Sequence, residues 1–95
     1  MLDLIIKNGN CFVENKFQVT NIAIKDKKIV KIGSINEDSN SEIDAKNLLV
    51  LPGCIDTQVH FREPGSTDRE DLNSGSKAAI LGGITSVFEM PNTNP

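Results

Sequence analysis

The chain has 95 residues, of which 38% are hydrophobic and 24% are charged, an ordinary composition for a globular protein. Its formal net charge of −3 argues against a nucleic-acid-binding surface, because such a surface needs clustered Lys and Arg side chains. No apolar run approaches the roughly 20 residues of a membrane-spanning helix, and the N-terminus lacks the basic-then-apolar order of a secretory signal. These features predict a cytoplasmic protein that binds neither nucleic acid nor a membrane.

The first half of the chain, residues 1–52, alternates short apolar runs with turn residues. The dipeptide Asn8-Gly9 lies between two apolar runs, and such a dipeptide is the strongest short-range indication of a β-hairpin turn. Alternation with period two favours half-buried strands in the runs that follow. A small antiparallel β unit is therefore expected, with strands at residues 2–7, 11–13, 17–24, 29–33, near 43 and at 48–51.

The second half, residues 53–95, predicts strand, loop, helix and strand in that order. Residues 54–60 and 84–90 are the strands, and residues 72–81 form the helix, which ends at Gly82-Gly83. The run Thr67-Asp68-Arg69-Glu70 fits the pattern of a capping box at the helix start. Two parallel strands and one helix do not cover both faces of a sheet. This half is thus expected to begin a longer α/β barrel, although a self-contained small protein remains an alternative.

Polar side chains follow each of these two strands, where barrel enzymes carry their functional groups. Gln58 and His60 are two residues apart and are expected on one face of their strand, with Arg62 two residues further on. Asn92 follows the second strand. Histidine is the commonest metal ligand among side chains, and two ligands at this spacing make half of a metal site. A zinc site needs three or four ligands, however, and His60 is the only histidine.

Each of these residues has a structural alternative on composition alone. His60 could be a hydrogen-bonded structural residue, and Asn92 could be an ordinary turn residue. The Arg62 guanidinium could form a surface salt bridge with one of three nearby acidic residues, Glu63, Asp68 or Glu70.

The segment Pro-Gly-Cys-Ile-Asp-Thr-Gln-Val-His-Phe-Arg-Glu-Pro-Gly at residues 52–65 resembles the dihydroorotase signature Pro-Gly-x-Ile-Asp-x-His-Val-His-x-Arg-Glu-Pro-Gly. The resemblance continues without a gap through residues 70–85 to Met-Pro-Asn-Thr-x-Pro at 90–95. Hydantoinases and allantoinases share the fold, but they are less similar around residues 61–64 and 90–93. The chain is therefore identified as similar to the N-terminal part of a dihydroorotase.

The resemblance implies an α/β fold that starts a TIM-like metal-dependent hydrolase barrel after a small antiparallel β-sandwich domain, and that is incomplete in this chain. Residues 1–52 would belong to the sandwich and residues 53–95 would be the first βαβ unit of the barrel. The implied reaction interconverts N-carbamoyl-L-aspartate and (S)-dihydroorotate in de novo pyrimidine biosynthesis, using one or two zinc ions and activated water. The catalytic Asp, a bridging Lys and two further His are expected beyond Pro95, so this chain alone is expected to be inactive.

Residue by residue, His60 matches a metal ligand, while Arg62 and Asn92 match the groups that bind the substrate carboxylate. Gln58 departs from the pattern, because it stands where the family has its first metal-binding histidine. An amide oxygen is a harder and neutral donor, so zinc binding should weaken there. The alternatives are a catalytically inactive partner of aspartate transcarbamoylase, or another cyclic amidohydrolase such as an allantoinase or hydantoinase. Assembly as a homo-oligomer or with the transcarbamoylase is possible under this resemblance.

Overall fold

The computed structural model describes residues 1–90 of the chain. By its internal contacts the chain divides into two compact units, Met1–Pro52 and Gly53–Pro95. The described part of the first unit contains β1 (Leu2–Val13), β2 (Lys16–Lys25), β3 (Lys28–Ile32), β4 (Ser39–Asp44) and β5 (Leu49–Val50). The described part of the second contains β6 (Cys54–Val59), α1 (Leu72–Leu81) and β7 (Ile84–Glu89).

Strand β1 is the centre of the first unit, because it pairs with three other strands. It is antiparallel to β2, and β2 is antiparallel to β3. Two-residue turns make both of these connections. The central residues of the first turn, Glu14 and Asn15, have φ values of 52° and 64°, and those of the second, Asp26 and Lys27, have 52° and 64°. Positive φ at both central residues is the mark of a type I′ turn, whose twist matches that of the two strands.

The prediction of a hairpin turn at Asn8-Gly9 is wrong, because β1 continues through both residues. The pairing with β2 changes register between Ile6 and Gly9, and Asn8 has φ 62°. Asn8 is therefore part of a β-bulge, in which its main-chain N–H donates to the side-chain oxygen of Asn21 at 3.0 Å. A bulge and a tight turn both use positive φ, so the same dipeptide serves either structure.

The sheet is also not wholly antiparallel, as β4 and β5 both run parallel to β1. The sheet order is β3-β2-β1-β4, so the loop at residues 33–38 must carry the chain from one edge past β2 and β1. Ile35 in this loop packs on the core cluster of Leu2, Ile5 and Ala23. A loop of turn-like composition cannot be distinguished from a hairpin by its sequence, and that is why the two parallel pairings were not predicted.

Strand β3 forms an edge of this sheet, and all five of its residues are exposed. It carries the apolar side chains of Ile29, Val30 and Ile32 together with two lysines, Lys28 and Lys31.

The second unit is a βαβ arrangement in which β6 and β7 pair in parallel. Helix α1 begins and ends at the predicted residues, but the predicted capping box at residues 67–70 is wrong. Asp71 is the N-cap, and its carboxylate accepts from the main-chain N–H of Ser74 at 2.7 Å. The Ser74 hydroxyl in return accepts from the Asp71 main-chain N–H at 3.2 Å. Residues 67–69 instead form a turn, in which the Arg69 N–H donates to the Ser66 carbonyl.

Gly9 marks the tightest backbone approach in the first unit. A Cβ atom there would lie 2.5 Å from a methyl carbon of Val50 and 3.3 Å from the Cβ of Ala45. We expect Gly9→Ala to lower the free energy of unfolding by about 1–3 kcal/mol, since the added methyl overpacks a stiff β-branched neighbour. Chemical denaturation of the purified protein measures this change.

The matched control is Gly82→Ala, where the new Cβ would meet only carbonyl oxygens at 3.5 and 3.6 Å. Gly82 has φ −88°, which alanine adopts freely, so this change should leave stability equal or raise it by up to about 1 kcal/mol. Equal effects of the two substitutions would contradict the packing assigned to Gly9.

Candidate functional site

The carboxyl ends of β6 and β7 lie at one edge of the second unit, because the two strands are parallel. Val59 is the register partner of Glu89, and the Met90 main-chain N–H donates to the Val59 carbonyl at 2.7 Å. The sequence places Gln58, His60 and Arg62 at or just after this end of β6. Three of the four candidate site residues therefore lie at the carboxyl end of β6 or just after it.

A β-bulge lies immediately before this end. Asp56 pairs with Val87 and Val59 pairs with Glu89, so three residue steps on β6 face two on β7. The Asp56 carboxylate accepts from the Gln58 main-chain N–H at 3.0 Å and thereby stabilises the extra residue. Bulges of this kind are common next to active sites, where they redirect a side chain. Gln58 lies within the bulge, so simple strand alternation does not determine its direction.

His60 follows the last residue of β6 and is exposed. Within residues 1–90 its imidazole makes no hydrogen bond or ion pair, so a hydrogen-bonded structural role is not supported there. The next residue is held from β7, since the Phe61 main-chain N–H donates to the Glu89 carboxylate at 3.3 Å. The imidazole is thus available to a ligand at the strand end.

Arg62 begins the loop that leads to α1, and it is half-buried. Its carbonyl accepts from the Ser66 N–H at 2.7 Å, which closes a turn. The ion pair found in the described part of the chain joins Lys7 and Glu42, and none there involves Arg62. The carboxylate of the adjacent Glu63 instead accepts from the Leu72 N–H at 2.9 Å, at the start of α1. The guanidinium of Arg62 is therefore not neutralised by its acidic neighbours.

Asn92 lies outside the described residues. In the part of the chain that the structure describes, no three His, Cys, Asp or Glu side chains converge into a metal-binding group. The donors that fit zinc at the end of β6 are the exposed imidazole of His60 and the amide oxygen of Gln58. No helix among residues 1–90 has both the length and the apolar character needed to cross a membrane.

Two residues of this site, Asp56 and Glu89, were missed by the sequence reasoning. Each is an acidic residue within an otherwise uncharged strand, and each uses its carboxylate to bind a main-chain N–H at the end of β6. A charged residue within a predicted barrel strand was the available signal, since a carboxylate there can accept hydrogen bonds from main-chain N–H groups that strand pairing does not use.

The cap of α1 gives a testable electrostatic consequence. The Ser74 main-chain N–H, and after it the Ser74 hydroxyl, hold the pKa of Asp71 below its ordinary value of 3.8. A lowered folded-state pKa means that the cap stabilises the fold above pH 3.8, and that this contribution is lost as the pH falls through the lowered pKa. Carboxyl-detected NMR titration should give Asp71 a pKa below 3.8, and Ser74→Ala should raise it part of the way back.

Ser76→Ala serves as the control, because the Ser76 hydroxyl donates to the Asn73 carbonyl within the same helix. It should leave the Asp71 pKa unchanged. An Asp71 pKa at or above 3.8 in the unsubstituted protein would contradict the observed cap.

Residues 49–95 match the family model described as the amidohydrolase family. The dihydroorotase of Lactococcus lactis is 48% identical over 97 residues, with 99% of this chain and 23% of the relative covered. The dihydroorotase of Pediococcus pentosaceus is 41% identical over 95 residues, covering 99% of this chain and 22% of the relative. An allantoinase of Escherichia coli is 46% identical over 89 residues, covering 94% and 20%.

Solved structures agree in fold. The L-hydantoinase of Arthrobacter aurescens superimposes with a TM-score of 0.84 at 32% identity, covering 98% of this chain and 21% of that one. A D-hydantoinase gives 0.77 at 36% identity, covering 94% and 20%. These similarities confirm the expected fold class, a small β domain followed by the start of a hydrolase barrel, and the resemblance to dihydroorotases. This chain spans about a fifth of the length of the relatives that it matches, and its residues 49–95 match the amidohydrolase family.

Proposed function

We propose that the protein containing this chain is a metal-dependent cyclic amidohydrolase of the dihydroorotase type. It would interconvert N-carbamoyl-L-aspartate and (S)-dihydroorotate in pyrimidine biosynthesis in the cytoplasm. The observation that carries the proposal is that His60, which is exposed, and Arg62, which has no ion pair within residues 1–90, both follow the end of β6, in a chain that is 41–48% identical to two dihydroorotases. The boundary at Pro52 would separate the small β domain from the barrel.

In this proposal the end of β6 holds one part of a zinc site, with one or two ions in total. His60 would be one zinc ligand, and Gln58 would occupy the sequence position at which the family has a second ligand. When bound, zinc acidifies water to a pKa near 7 and polarises an amide carbonyl, which is the chemistry that amide hydrolysis needs at neutral pH. The remaining ligands and the catalytic Asp would come from the rest of the protein, so residues 1–95 alone would be inactive.

Arg62 would recognise the carboxylate that both substrate and product carry. The planar guanidinium offers two parallel N–H donors, which match the two oxygens of a carboxylate. The absence of an ion pair at Arg62 within residues 1–90 supports this role, because no acidic side chain there competes with the substrate. Asn92 would add an amide donor from the neighbouring strand end.

Two alternatives have specific observations in their favour. Gln58 replaces an expected histidine, which favours a catalytically inactive partner of aspartate transcarbamoylase. The similarity to an allantoinase and to hydantoinases favours a cyclic amidohydrolase with another substrate. Allantoin and simple hydantoins lack the carboxylate of dihydroorotate, so the role of Arg62 distinguishes these enzymes from a dihydroorotase.

The decisive experiment uses the protein expressed from the complete reading frame with zinc present. Ring closure of N-carbamoyl-L-aspartate should proceed and should stop when a chelator removes the metal. His60→Ala should weaken zinc binding by more than about 100-fold, because loss of even an outer hydrogen-bonding partner of a ligand costs 10- to 100-fold. Folded, zinc-loaded protein without turnover would contradict the enzyme and favour the transcarbamoylase partner, which a pull-down then tests.

Substitution of Arg62 tests the assigned substrate class. Arg62→Lys keeps the charge but loses the bidentate fork, so we expect KM for N-carbamoyl-L-aspartate to rise roughly 10- to 100-fold, equivalent to one charged hydrogen bond of about 1.5–3 kcal/mol. The value of kcat should change less, because the carboxylate is bound equally in the ground and transition states.

The matched control is Arg69→Lys, the same change at an exposed arginine in the same loop. It should leave both constants unaltered. An Arg62→Lys enzyme with an unchanged KM for the carboxylated substrate would remove the reason to prefer a dihydroorotase over its relatives.

A further inference from the structure

The segment that carries His60 is tethered on both sides, and two of its three tethers are acidic side chains. On one side, the Gln58 N–H donates to Asp56 and the Val59 carbonyl accepts from Met90. On the other side, the Phe61 N–H donates to the Glu89 carboxylate at 3.3 Å. His60 is thus bracketed by peptide groups with fixed partners.

Glu89 adds a side-chain contact from β7 next to the strand pairing. Within residues 1–90, the backbone bonds between β6 and β7 include the one from the Met90 N–H to the Val59 carbonyl. The Phe61 peptide follows His60, beyond the last residue of β6, and there the Glu89 side chain supplies a contact from β7.

The side chain of Phe61 is confined as well as its backbone. It is half-buried, and a Cβ built on Gly75 of α1 would lie 3.0 Å from its ring. The ring therefore lies close against the one buried residue of the helix. Helix and strand together determine where the residue between His60 and Arg62 sits.

We propose that Glu89 is a positioning residue for the segment His60–Arg62. By holding the Phe61 peptide, it restricts the backbone torsions on the carboxyl side of His60 and on the amino side of Arg62. One carboxylate thus sets the direction of the zinc ligand and of the arginine that binds the substrate. The inference rests on the proposed function for the roles of His60 and Arg62, but not for the contact of Glu89 itself.

Four variants of the protein from the complete reading frame test this. Glu89→Leu removes the acceptor, whereas Glu89→Gln keeps an acceptor oxygen at the same reach. Glu89→Asp keeps the charge but shortens the side chain by about 1.5 Å, one carbon–carbon bond. Glu37→Leu makes the first change at an exposed glutamate of the other unit and serves as the control.

Three readouts are measured for each folded variant: zinc affinity, kcat and KM, and hydrogen exchange at the Phe61 amide. We expect Glu89→Leu and Glu89→Asp to weaken zinc binding and to lower kcat/KM by on the order of tenfold each, as for other partners that orient a ligand. Amide exchange at Phe61 should accelerate in both variants. Glu89→Gln should stay within about twofold of the unsubstituted protein, and Glu37→Leu should match it.

Zinc affinity and Phe61 exchange that are unchanged in Glu89→Leu would overturn the inference. If Glu89→Leu fails to fold, the zinc affinities of the other two Glu89 variants decide. A Glu89→Asp variant that binds zinc as tightly as Glu89→Gln, or more tightly, would overturn the inference. The predicted pattern in zinc affinity without any turnover would uphold the positioning role while the proposed function fails. Turnover without that pattern would uphold the function and reject the role of Glu89.

Discussion

The parallel pairing of β6 with β7 is the constraint on which the candidate site depends. Parallel strands can be joined only by a crossover, and here α1 makes it. Pairing in this direction brings the carboxyl ends of both strands to one edge, so that His60 and Glu89 become neighbours although they are far apart in sequence. Gly53 and Thr85 of β7 also approach each other so closely that a side chain does not fit at position 53, because a Cβ there would overlap Thr85. Backbone hydrogen bonds between β6 and β7 therefore determine where the candidate site lies, and side-chain contacts then orient the residues within it.

The elements of this unit were largely predictable from the sequence, because Gly53 and Gly82-Gly83 mark where they begin and end. Helix α1 occupies residues 72–81 as predicted, and β6 ends one residue earlier than expected. The cap was not predictable from the motif alone: both residues 67–70 and residues 71–74 offer a hydroxyl or carboxylate at the right spacing. The structure selects Asp71, since the preceding residues are already used in the turn around Ser66. Local motifs indicate what a residue can bind, whereas tertiary contacts select its partner.

The candidate site likewise combines residues that the sequence indicates with contacts that only the tertiary structure determines. Residue spacing and the dihydroorotase resemblance drew attention to Gln58, His60 and Arg62, which follow one another along a single strand. The bulge at Gln58 and the carboxylate of Glu89 were not predicted, because both depend on the register between two strands. In the first unit the Asn8 bulge and the parallel strand β4 escaped prediction for this reason. Register is a property of two segments together, so a pattern read along one segment does not contain it.

The exposed strand β3 has a consequence for how the first unit behaves at high concentration. Among residues 1–90, β3 pairs only with β2, and an open strand edge of this kind invites a strand of another molecule to add to the sheet; the apolar side chains of Ile29, Val30 and Ile32 would favour this. Lys28 and Lys31 oppose it, since an added strand would have to strip water from two ammonium groups. The lysines of β3 therefore act as protection against aggregation, and a neutral polar residue at either position would weaken that protection without touching the candidate active site.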